Sequence, residues 1–437
     1  MSKAPEVLLL VENLSVPADP RVWREAVALR QQGYEVRVIC PKGQVRNTES
    51  YVCLEGIHIY RYTLNTTVAR SSNYIKEYLI AMLKTFGLTF KVWSRHGFDV
   101  IHAANPPDTF FAIGLFYKLF GKKFIFDQHD LAPEIFHIRF QNRLKPLYHL
   151  LKFCERCSYR VADVVITSNT SQKGIAITRG GCRPEKVFVV RNGPDLASYK
   201  TTEPEPGLKG SRRYLLAYVG VMGMQDGVDY AIRALYELVH KRGRQDVSFV
   251  LMGSGDQLEP LKALTRELGL ETYVNFTGWL AKQDLLRYLA AADIGISPDP
   301  ANELNDHSTM LKTMEYMAMG KPVVAFDLPE TRYSAQDAAL YATPNSIEEF
   351  ADKIEILLDN EDLRRKMGAF GRQRVETELC WDRTRVNLWH AYATLFPAYR
   401  QPLNFEAKSE SEEESKRDLE AKPLAGIEGG SSPSRYR

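Results

Sequence analysis

The feature of this 437-residue sequence that most constrains its fold is a repeated alternation between short apolar runs and longer helical patterns. Runs such as "YEVRVICP" and "DVVITS" are rich in β-branched residues, whereas the segments between them carry apolar residues at helical spacing. This alternation is typical of βα units, whose strands form parallel sheets covered by helices. The sequence therefore predicts an α/β protein with doubly wound sheets.

The alternation occurs in two series, with seven predicted strands in the first and five in the second. We expect residues 1–193 to form an N-terminal Rossmann-like domain and residues 214–379 a C-terminal one. Residues 194–213 are rich in proline, glycine and charge, which is typical of a linker. A final amphipathic helix at 380–400 is expected to pack back on the N-terminal domain. The polar, low-complexity residues 401–437 are predicted to be disordered.

Composition and charge argue against several classes of protein. Hydrophobic residues make up 44% and charged residues 25% of the chain, close to the averages of soluble globular proteins. No apolar run reaches the roughly 18 residues that a membrane-spanning helix needs. A net charge of +3 is far below that of a typical nucleic-acid-binding protein. With scattered cysteines and no secretory-signal pattern, we expect a cytoplasmic protein with free thiols and no nucleic-acid partner.

Cys154 and Cys157 form a C-x-x-C pair in a predicted helix. A zinc site needs further ligands, and no second Cys or His pair lies nearby in the sequence. We therefore interpret them as two thiols of one helix and expect no bound metal.

Ligands of parallel sheets bind at the carboxyl ends of the strands, so candidate site residues should follow predicted strands. In "YVGVMGMQDGVDYAI", Gly220, Gly223 and Gly227 would let backbone amides approach an anion at a helix N-terminus. Their spacing differs from the dinucleotide fingerprint G-x-G-x-x-G, and such turns also occur for packing alone. The turn "VLMGSGDQLEPL", with Gly253 and Gly255, has the same two interpretations.

The segment "FIFDQHDLAPE" places Asp127, His129, Asp130 and Glu134 at the end of another predicted strand. A histidine beside carboxylates can orient a substrate hydroxyl or carry a proton near neutral pH. The alternative is that these residues only cap and solvate the next helix.

The segment "STMLKTMEYMAMGKPVVAF" sets Glu315 in an otherwise apolar stretch. Ser308 or Thr309 would cap a helix that ends at Gly320, and Glu315 lies two turns into that helix. Two interpretations are open: Glu315 binds a ligand, or it is a solvated residue paired with Lys312.

Seven segments resemble, in order and spacing, bacterial family-4 glycosyltransferases of the GT-B fold. They are "ADPRVWREAVALRQQGYEVRVIC", "DVIHAANPPD", "FDQHDLAPE", "VVRNG", "AYVGVMGMQDGVDYAIRAL", "FVLMGSGDQLEPLKALTRELGLETYVNFTGWL" and "MEYMAMGKPVVAFDLPETRYS". The resemblance extends from about residue 7 to residue 400. It implies two Rossmann-like domains facing each other across a cleft, with a nucleotide-diphosphate sugar on the second and an acceptor on the first. It also implies transfer with retention at the anomeric carbon, with no metal and no other cofactor.

On the donor side, Glu315 matches the second of two family glutamates, whose implied role is to accept hydrogen bonds from the ribose. The first falls on His307, and many members have Arg and Lys where this chain has Val221 and Asp226. We expect Lys312 and the amides at the start of its helix to replace their charge. The implied donor-binding residues are Gly220, Gly223, Gly278, Trp279, His307, Ser308, Thr309, Met310, Leu311, Lys312 and Glu315.

On the acceptor side, His129 matches the histidine that the family places beside the reacting centre, so we expect it to orient the substrate. Arg21 and Asp130 are further candidates, and Arg21 would meet acceptor phosphates. Alternatives for the whole chain are a non-catalytic nucleotide-sugar-binding partner and a GT-B epimerase.

The expected acceptor is a saccharide or a lipid-linked saccharide in surface polysaccharide or glycoconjugate assembly. Residues 73–97 and 137–160 interleave basic residues with aromatic and aliphatic ones, as interfacial helices do. They would allow peripheral contact with the inner membrane face. The alternative is that both segments pack within the first domain.

Overall fold

The computed structural model describes five stretches of the chain, which are residues 3–43, 46–64, 71–140, 144–200 and 203–399. It contains one sheet of eight strands and one of six, each packed between helices. This confirms the predicted α/β class with two doubly wound sheets. The tail that was predicted to be disordered, 401–437, lies outside the described residues.

The first sheet has eight strands, which are β1 (Glu6–Leu10), β2 (Glu35–Pro41), β3 (Tyr51–Leu54), β4 (Ile57–Tyr62), β5 (Val100–Ala104), β6 (Lys123–Gln128), β7 (Val164–Thr167) and β8 (Val187–Val189). Their spatial order is β3-β4-β2-β1-β5-β6-β7-β8, and only the β3–β4 pair among them is antiparallel. The sequence did not predict β3, because this edge strand is only four residues long and two of its side chains are exposed.

The second sheet has six strands, all parallel, which are β9 (Tyr214–Val219), β10 (Val247–Met252), β11 (Val274–Gly278), β12 (Ile294–Ser297), β13 (Val323–Phe326) and β14 (Ala339–Ala342). Their order is β11-β10-β9-β12-β13-β14. The sequence did not predict β14, because "ALYA" is short and alanine has a low strand preference.

Six helices lie between the strands of the first sheet, namely α1 (Pro20–Gln31), α2 (Ser71–Arg95), α3 (Phe111–Lys118), α4 (Ala132–Phe140), α5 (Lys145–Val161) and α6 (Thr170–Thr178). Eight more follow, namely α7 (Val228–Tyr236), α8 (Leu258–Glu267), α9 (Lys282–Ala291), α10 (Leu311–Ala318), α11 (Pro329–Ala335), α12 (Ile347–Asp359), α13 (Glu361–Arg374) and α14 (Trp381–Leu395). Within the described stretches, none of these helices combines the length and the apolar character that crossing a membrane requires.

The last helix, α14, is part of the first domain's core although it follows the second domain in the chain. Leu388 and Tyr392 are fully buried against residues of the first sheet. The ring of Tyr392 lies 5.2 Å from that of Tyr34 in an edge-to-face contact, and Trp389 donates to the carbonyl oxygen of Ala28 (3.1 Å). The chain therefore crosses between the domains twice.

We predict that Leu388→Ala lowers the free energy of unfolding by about 3 kcal/mol, because it leaves a cavity in a close-packed core. His390→Ala, at an exposed position of the same helix, is the matched control and should change stability by less than about 0.5 kcal/mol. Urea denaturation measures both. Equal effects of the two substitutions would contradict the packing of α14 into this core.

Candidate functional site

Residues of both domains meet where β7 ends. Asn169, which caps α6, donates through its side-chain amide to the carbonyl oxygen of His307 (2.8 Å) and to Oγ1 of Thr309 (3.1 Å). Close by, the side-chain amide of Gln172 lies 3.5 Å from the carbonyl oxygen of His129. The structure thus brings predicted residues of the first domain (His129) and of the second (His307 and Thr309) to one boundary.

Glu330, in the first turn of α11, strengthens this boundary. Its carboxylate accepts hydrogen bonds from the backbone N–H and the hydroxyl of Ser171 (3.0 and 2.7 Å) and from the guanidinium of Arg191 (3.0 Å). Glu330 and Arg191 are both buried, and Arg191 also lies over the ring of Tyr333. Because a buried carboxylate is costly without partners, the contact between the domains is specific. We call the contacts of Asn169 and Glu330 the inter-domain seam.

His129 follows β6 and is oriented by Asp127. Its Nε2 lies 2.5 Å from Oδ2 of Asp127, while Arg21 donates to Oδ1 at 3.0 Å. Burial would raise the pKa of Asp127, but Arg21 and His129 together hold this pKa well below its usual value. Burial would likewise lower the pKa of His129, yet the negative charge of Asp127 leaves that pKa raised. Asp127 therefore fixes the direction of the imidazole and favours its protonated form.

Arg21 lies inside the first domain, which corrects the expectation that it meets acceptor phosphates. It is 4% exposed, and its guanidinium pairs with Asp127 (3.0 Å) and Glu25 (3.1 Å) and donates to the carbonyl oxygen of Val190 (2.9 Å). The helix α1 begins one residue before Arg21, so the side chain points into the core and not into a loop. In this structure Arg21 neutralises the negative charge of buried carboxylates.

Two buried groups behind Asp127 were not predicted. His102 of β5 places Nε2 3.3 Å from Asp127 and 3.7 Å from Glu25, and its Nδ1 lies 2.9 Å from the hydroxyl of Tyr392. Burial, with the charge of Asp127, raises the pKa of Glu25 to about 7. Glu25 follows Arg21 by one helical turn, which is a usable sequence signal. His102 lies inside an apolar strand and gives no such signal.

Glu25, His102 and Asp127 offer ligand atoms within 4.8 Å of one another, a spacing compatible with a metal ion. The guanidinium of Arg21 pairs with both carboxylates and so takes the place of a cation between them. A tightly held arginine and a bound divalent ion would compete for the same oxygens. The residues present therefore fit an internal ion-pair network better than an open metal site.

On the second domain, the two glycine turns pack against each other. A Cβ on Gly253 would lie 1.9 Å from the carbonyl oxygen of Gly220, and one on Gly255 would lie 2.3 Å from that of Met222. This close approach supports the packing interpretation for Gly253 and Gly255. A Cβ on Gly220 itself would lie 3.5 Å from Cε of Lys312, so the turn that contains Gly220 borders α10.

Lys312, which we expected to help replace the charge missing at Val221 and Asp226, is itself paired with two acids. Its ammonium lies 2.5 Å from Asp299 and 3.8 Å from Asp226, and it is buried. Asp226 also accepts a hydrogen bond from the backbone N–H of Gly223 (3.0 Å), and burial raises the pKa of Asp226 to about 6. Asp226 thus ties the glycine turn to α10. A diphosphate at this position would depend mainly on backbone amides.

The helix α10 has Met310 as its N-cap, and no side chain caps it. This corrects the prediction that Ser308 or Thr309 would do so: the hydroxyl of Ser308 donates to the carbonyl oxygen of Leu304 (2.7 Å), and Thr309 bonds at the seam. Because amides of a first helical turn have no partner within the helix, this end of α10 can receive an anion.

Glu315 accepts a hydrogen bond from the hydroxyl of Tyr199 (2.5 Å), and burial raises the pKa of Glu315. Tyr199 belongs to the linker and is buried itself. Since Lys312 pairs with Asp299, the alternative in which Lys312 pairs with Glu315 does not describe the arrangement found. Tyr199 was missed because the linker has no periodicity that would assign its residues to a surface or a core.

The remaining predicted residues lie at strand ends or on the surface. Gly278 ends β11 with φ +67°, and its carbonyl oxygen accepts from the backbone N–H of Gly253 (2.9 Å), which places β11 beside the glycine turns. Trp279 is 48% exposed and Leu311 41%. Asp130 is exposed on the first domain.

Comparison with known families gives matches in both domains. The family described as "Glycosyltransferase Family 4" matches residues 21–198, and "Glycosyl transferases group 1" matches residues 213–360. Together these matches cover about three quarters of the chain. The chain belongs to the family-4 glycosyltransferases of the GT-B fold.

Three proteins illustrate how this family-4 glycosyltransferase compares with others. D-inositol 3-phosphate glycosyltransferase of Corynebacterium aurimucosum is 28% identical over 256 residues, which are 55% of this chain, and the chain spans 59% of that relative. Sucrose-phosphate synthase of Thermosynechococcus elongatus superposes with a TM-score of 0.72 at 17% identity, over 90% of this chain and 100% of that one. Anabaena HepE in complex with UDP-glucose superposes with a TM-score of 0.65 at 17% identity, over 90% of this chain and 99% of that one.

We predict that stability falls as pH rises from about 5 to about 7, because Glu25 binds its proton more tightly in the folded protein. The raised pKa of His129 extends this loss of stability above pH 6.5. Glu25→Gln should remove roughly 1 to 3 kcal/mol of the change between pH 5 and 7, since one pKa unit corresponds to about 1.4 kcal/mol. Urea denaturation at several pH values measures this, with the exposed Glu271→Gln as control. An unchanged pH dependence in Glu25→Gln would contradict the prediction.

Proposed function

We propose that this protein moves a sugar from a nucleotide-diphosphate sugar to an acceptor hydroxyl, with retention at the anomeric carbon and without a metal ion. The observation that carries the proposal is the arrangement of charged groups at the cleft. Glu315 and the start of α10 lie on the second domain, and the imidazole of His129, paired with Asp127, lies on the first, beside the seam. His129 follows β6, and the segment that leads into α10 follows β12, so both lie at the carboxyl edge of a sheet, where α/β proteins bind ligands.

The donor would bind on the second domain. The hydroxyl of Tyr199 donates a hydrogen bond to Glu315, which shows that this carboxylate can accept from an O–H group. A ribose hydroxyl is an O–H donor of the same kind. The diphosphate would lie at the N-terminal end of α10, with the glycine turn at Gly220 beside it. The complex of HepE with UDP-glucose supports a nucleotide sugar as the donor class.

In the proposed reaction, the bond between the anomeric carbon and the phosphate oxygen breaks, and the nucleotide diphosphate leaves. The acceptor oxygen forms its bond on the same face of the sugar, and its proton passes to the departing phosphate oxygen. Amides at the helix N-terminus stabilise the negative charge that develops there. Since Asp127 holds Nε2 of His129, the imidazole is fixed to orient the substrate.

The acceptor would lie against the first domain, where Asp130 is exposed. We propose a saccharide or a lipid-linked saccharide as acceptor, and peripheral contact of the protein with the inner membrane face. The relative that acts on D-inositol 3-phosphate supports a polyhydroxylated acceptor as the chemical class.

A screen of nucleotide sugars by thermal shift, followed by assay of nucleotide-diphosphate release with a membrane lipid extract, tests the proposal. A donor at about 100 times its dissociation constant should stabilise the protein by about 2.7 kcal/mol. NMR of the first product should show the anomeric configuration of the donor, and a chelator should not change turnover. Binding without release would favour the non-catalytic binding partner, and sugar interconversion without transfer would favour the epimerase. No stabilisation by any nucleotide sugar would contradict the proposal.

For the donor site, we predict that Glu315→Ala raises the dissociation constant of the nucleotide sugar by about 10- to 150-fold, because a hydrogen bond to a charged group contributes about 1.5 to 3 kcal/mol. Glu348→Ala, at an exposed carboxylate of the same domain, is the control and should leave affinity unchanged. Isothermal titration measures both. Wild-type affinity in Glu315→Ala would show that this carboxylate does not hold the ribose.

A further inference from the structure

The helices α2, α3 and α5 lie side by side on one face of the first sheet. The ring of Trp93 in α2 lies 4.8 Å from that of Phe120, directly after α3, and Lys118 of α3 donates to the carbonyl oxygen of Val161 at the end of α5 (2.8 Å). Their inner sides pack on the sheet, whereas α1 and α14 cover its opposite face. The three helices therefore form one continuous outer layer of the first domain.

This outer layer exposes an unusual amount of apolar surface. Ten of the seventeen large apolar side chains that the described residues expose belong to these helices or adjoin them. Leu119 is 79% exposed, Leu83 65% and Phe153 60%. Apolar side chains concentrated in this way mark an interaction surface, whereas isolated ones do not. We call this surface the outer face of α2, α3 and α5.

The charged side chains that share the outer face are basic. Lys84 and Lys91 are exposed along α2, and Arg156 is exposed on α5. Among the described side chains of the three helices, the one carboxylate is Glu155, which is fully buried and pairs with Arg179, the residue after α6. Among the side chains that the structure describes on these helices, the surface thus offers apolar groups and positive charge to its partner and no exposed acid.

We propose that the outer face of α2, α3 and α5 docks on an anionic lipid bilayer. Apolar side chains would enter the boundary between head groups and acyl chains, and lysines and arginines would reach the lipid phosphates. A second copy of the chain fits less well, because a two-fold interface would bring like charges together. The inference rests on the proposed function, since docking here would bring the acceptor domain to a lipid-linked acceptor.

Vesicle flotation of the full chain, without any nucleotide sugar, tests this inference. The protein should float with phosphatidylcholine vesicles that contain about 30% phosphatidylglycerol and much less with pure phosphatidylcholine, and added salt should weaken binding. The double variant Leu119→Glu/Phe153→Glu should lower the partition coefficient at least about tenfold. Ile356→Glu changes an exposed apolar residue of α12 in the second domain and is the control, which should bind as the wild type does.

Wild-type protein that does not float with anionic vesicles would overturn the inference, as would a double variant that binds like Ile356→Glu. A dimer in sedimentation that the double variant loses, without vesicle binding, would identify a second copy as the partner. Circular dichroism checks that the variants fold. Thermal shift with nucleotide sugars, measured without vesicles, reports on the donor site alone, so the docking surface and the proposed reaction can fail independently.

Discussion

Parallel strands place their carboxyl ends at one edge of a sheet, and this constraint positions the whole candidate site. His129 follows β6 of the first sheet, and Asp299 follows β12 of the second. The two edges face each other because contacts at the seam, above all the buried Glu330 with Arg191, join them. Neither domain contains the complete site, so its geometry depends on how the two sheets are joined.

In both halves of the candidate site, a buried ion pair holds a charged side chain in place. In the first domain, Asp127 holds His129 and is balanced by Arg21. In the second, Asp299 holds Lys312. A buried charge requires a partner, so each pair restricts its side chain to one orientation. The pairing also lowers the charge that each group can offer to a ligand, which is why the start of α10 becomes the main candidate for binding a diphosphate.

The outer surface of the first domain follows a different principle. The inner sides of α2, α3 and α5 pack on the first sheet. Their outward sides are apolar and basic, which folding alone does not require. Lys84 and Phe153 illustrate this, because both are exposed on a surface where other exposed side chains are also basic or apolar. The first domain therefore carries an apolar and basic outer surface, whereas the candidate site on the second domain is organised around polar contacts.

The sequence by itself determined the fold class, twelve of the fourteen strands that the structure describes and the sheet edge at which the candidate site is expected, because apolar periodicity and strand-end glycines are local signals. It also identified His129 and Glu315 as candidates. Only the tertiary structure decided which partners these residues have: Asp127 for the first and Tyr199, from an aperiodic linker, for the second. It also showed that Arg21, which was expected to meet acceptor phosphates, is buried in the core. The physical reason is that buried charges are balanced by residues distant in the chain, and no local pattern records such a pairing.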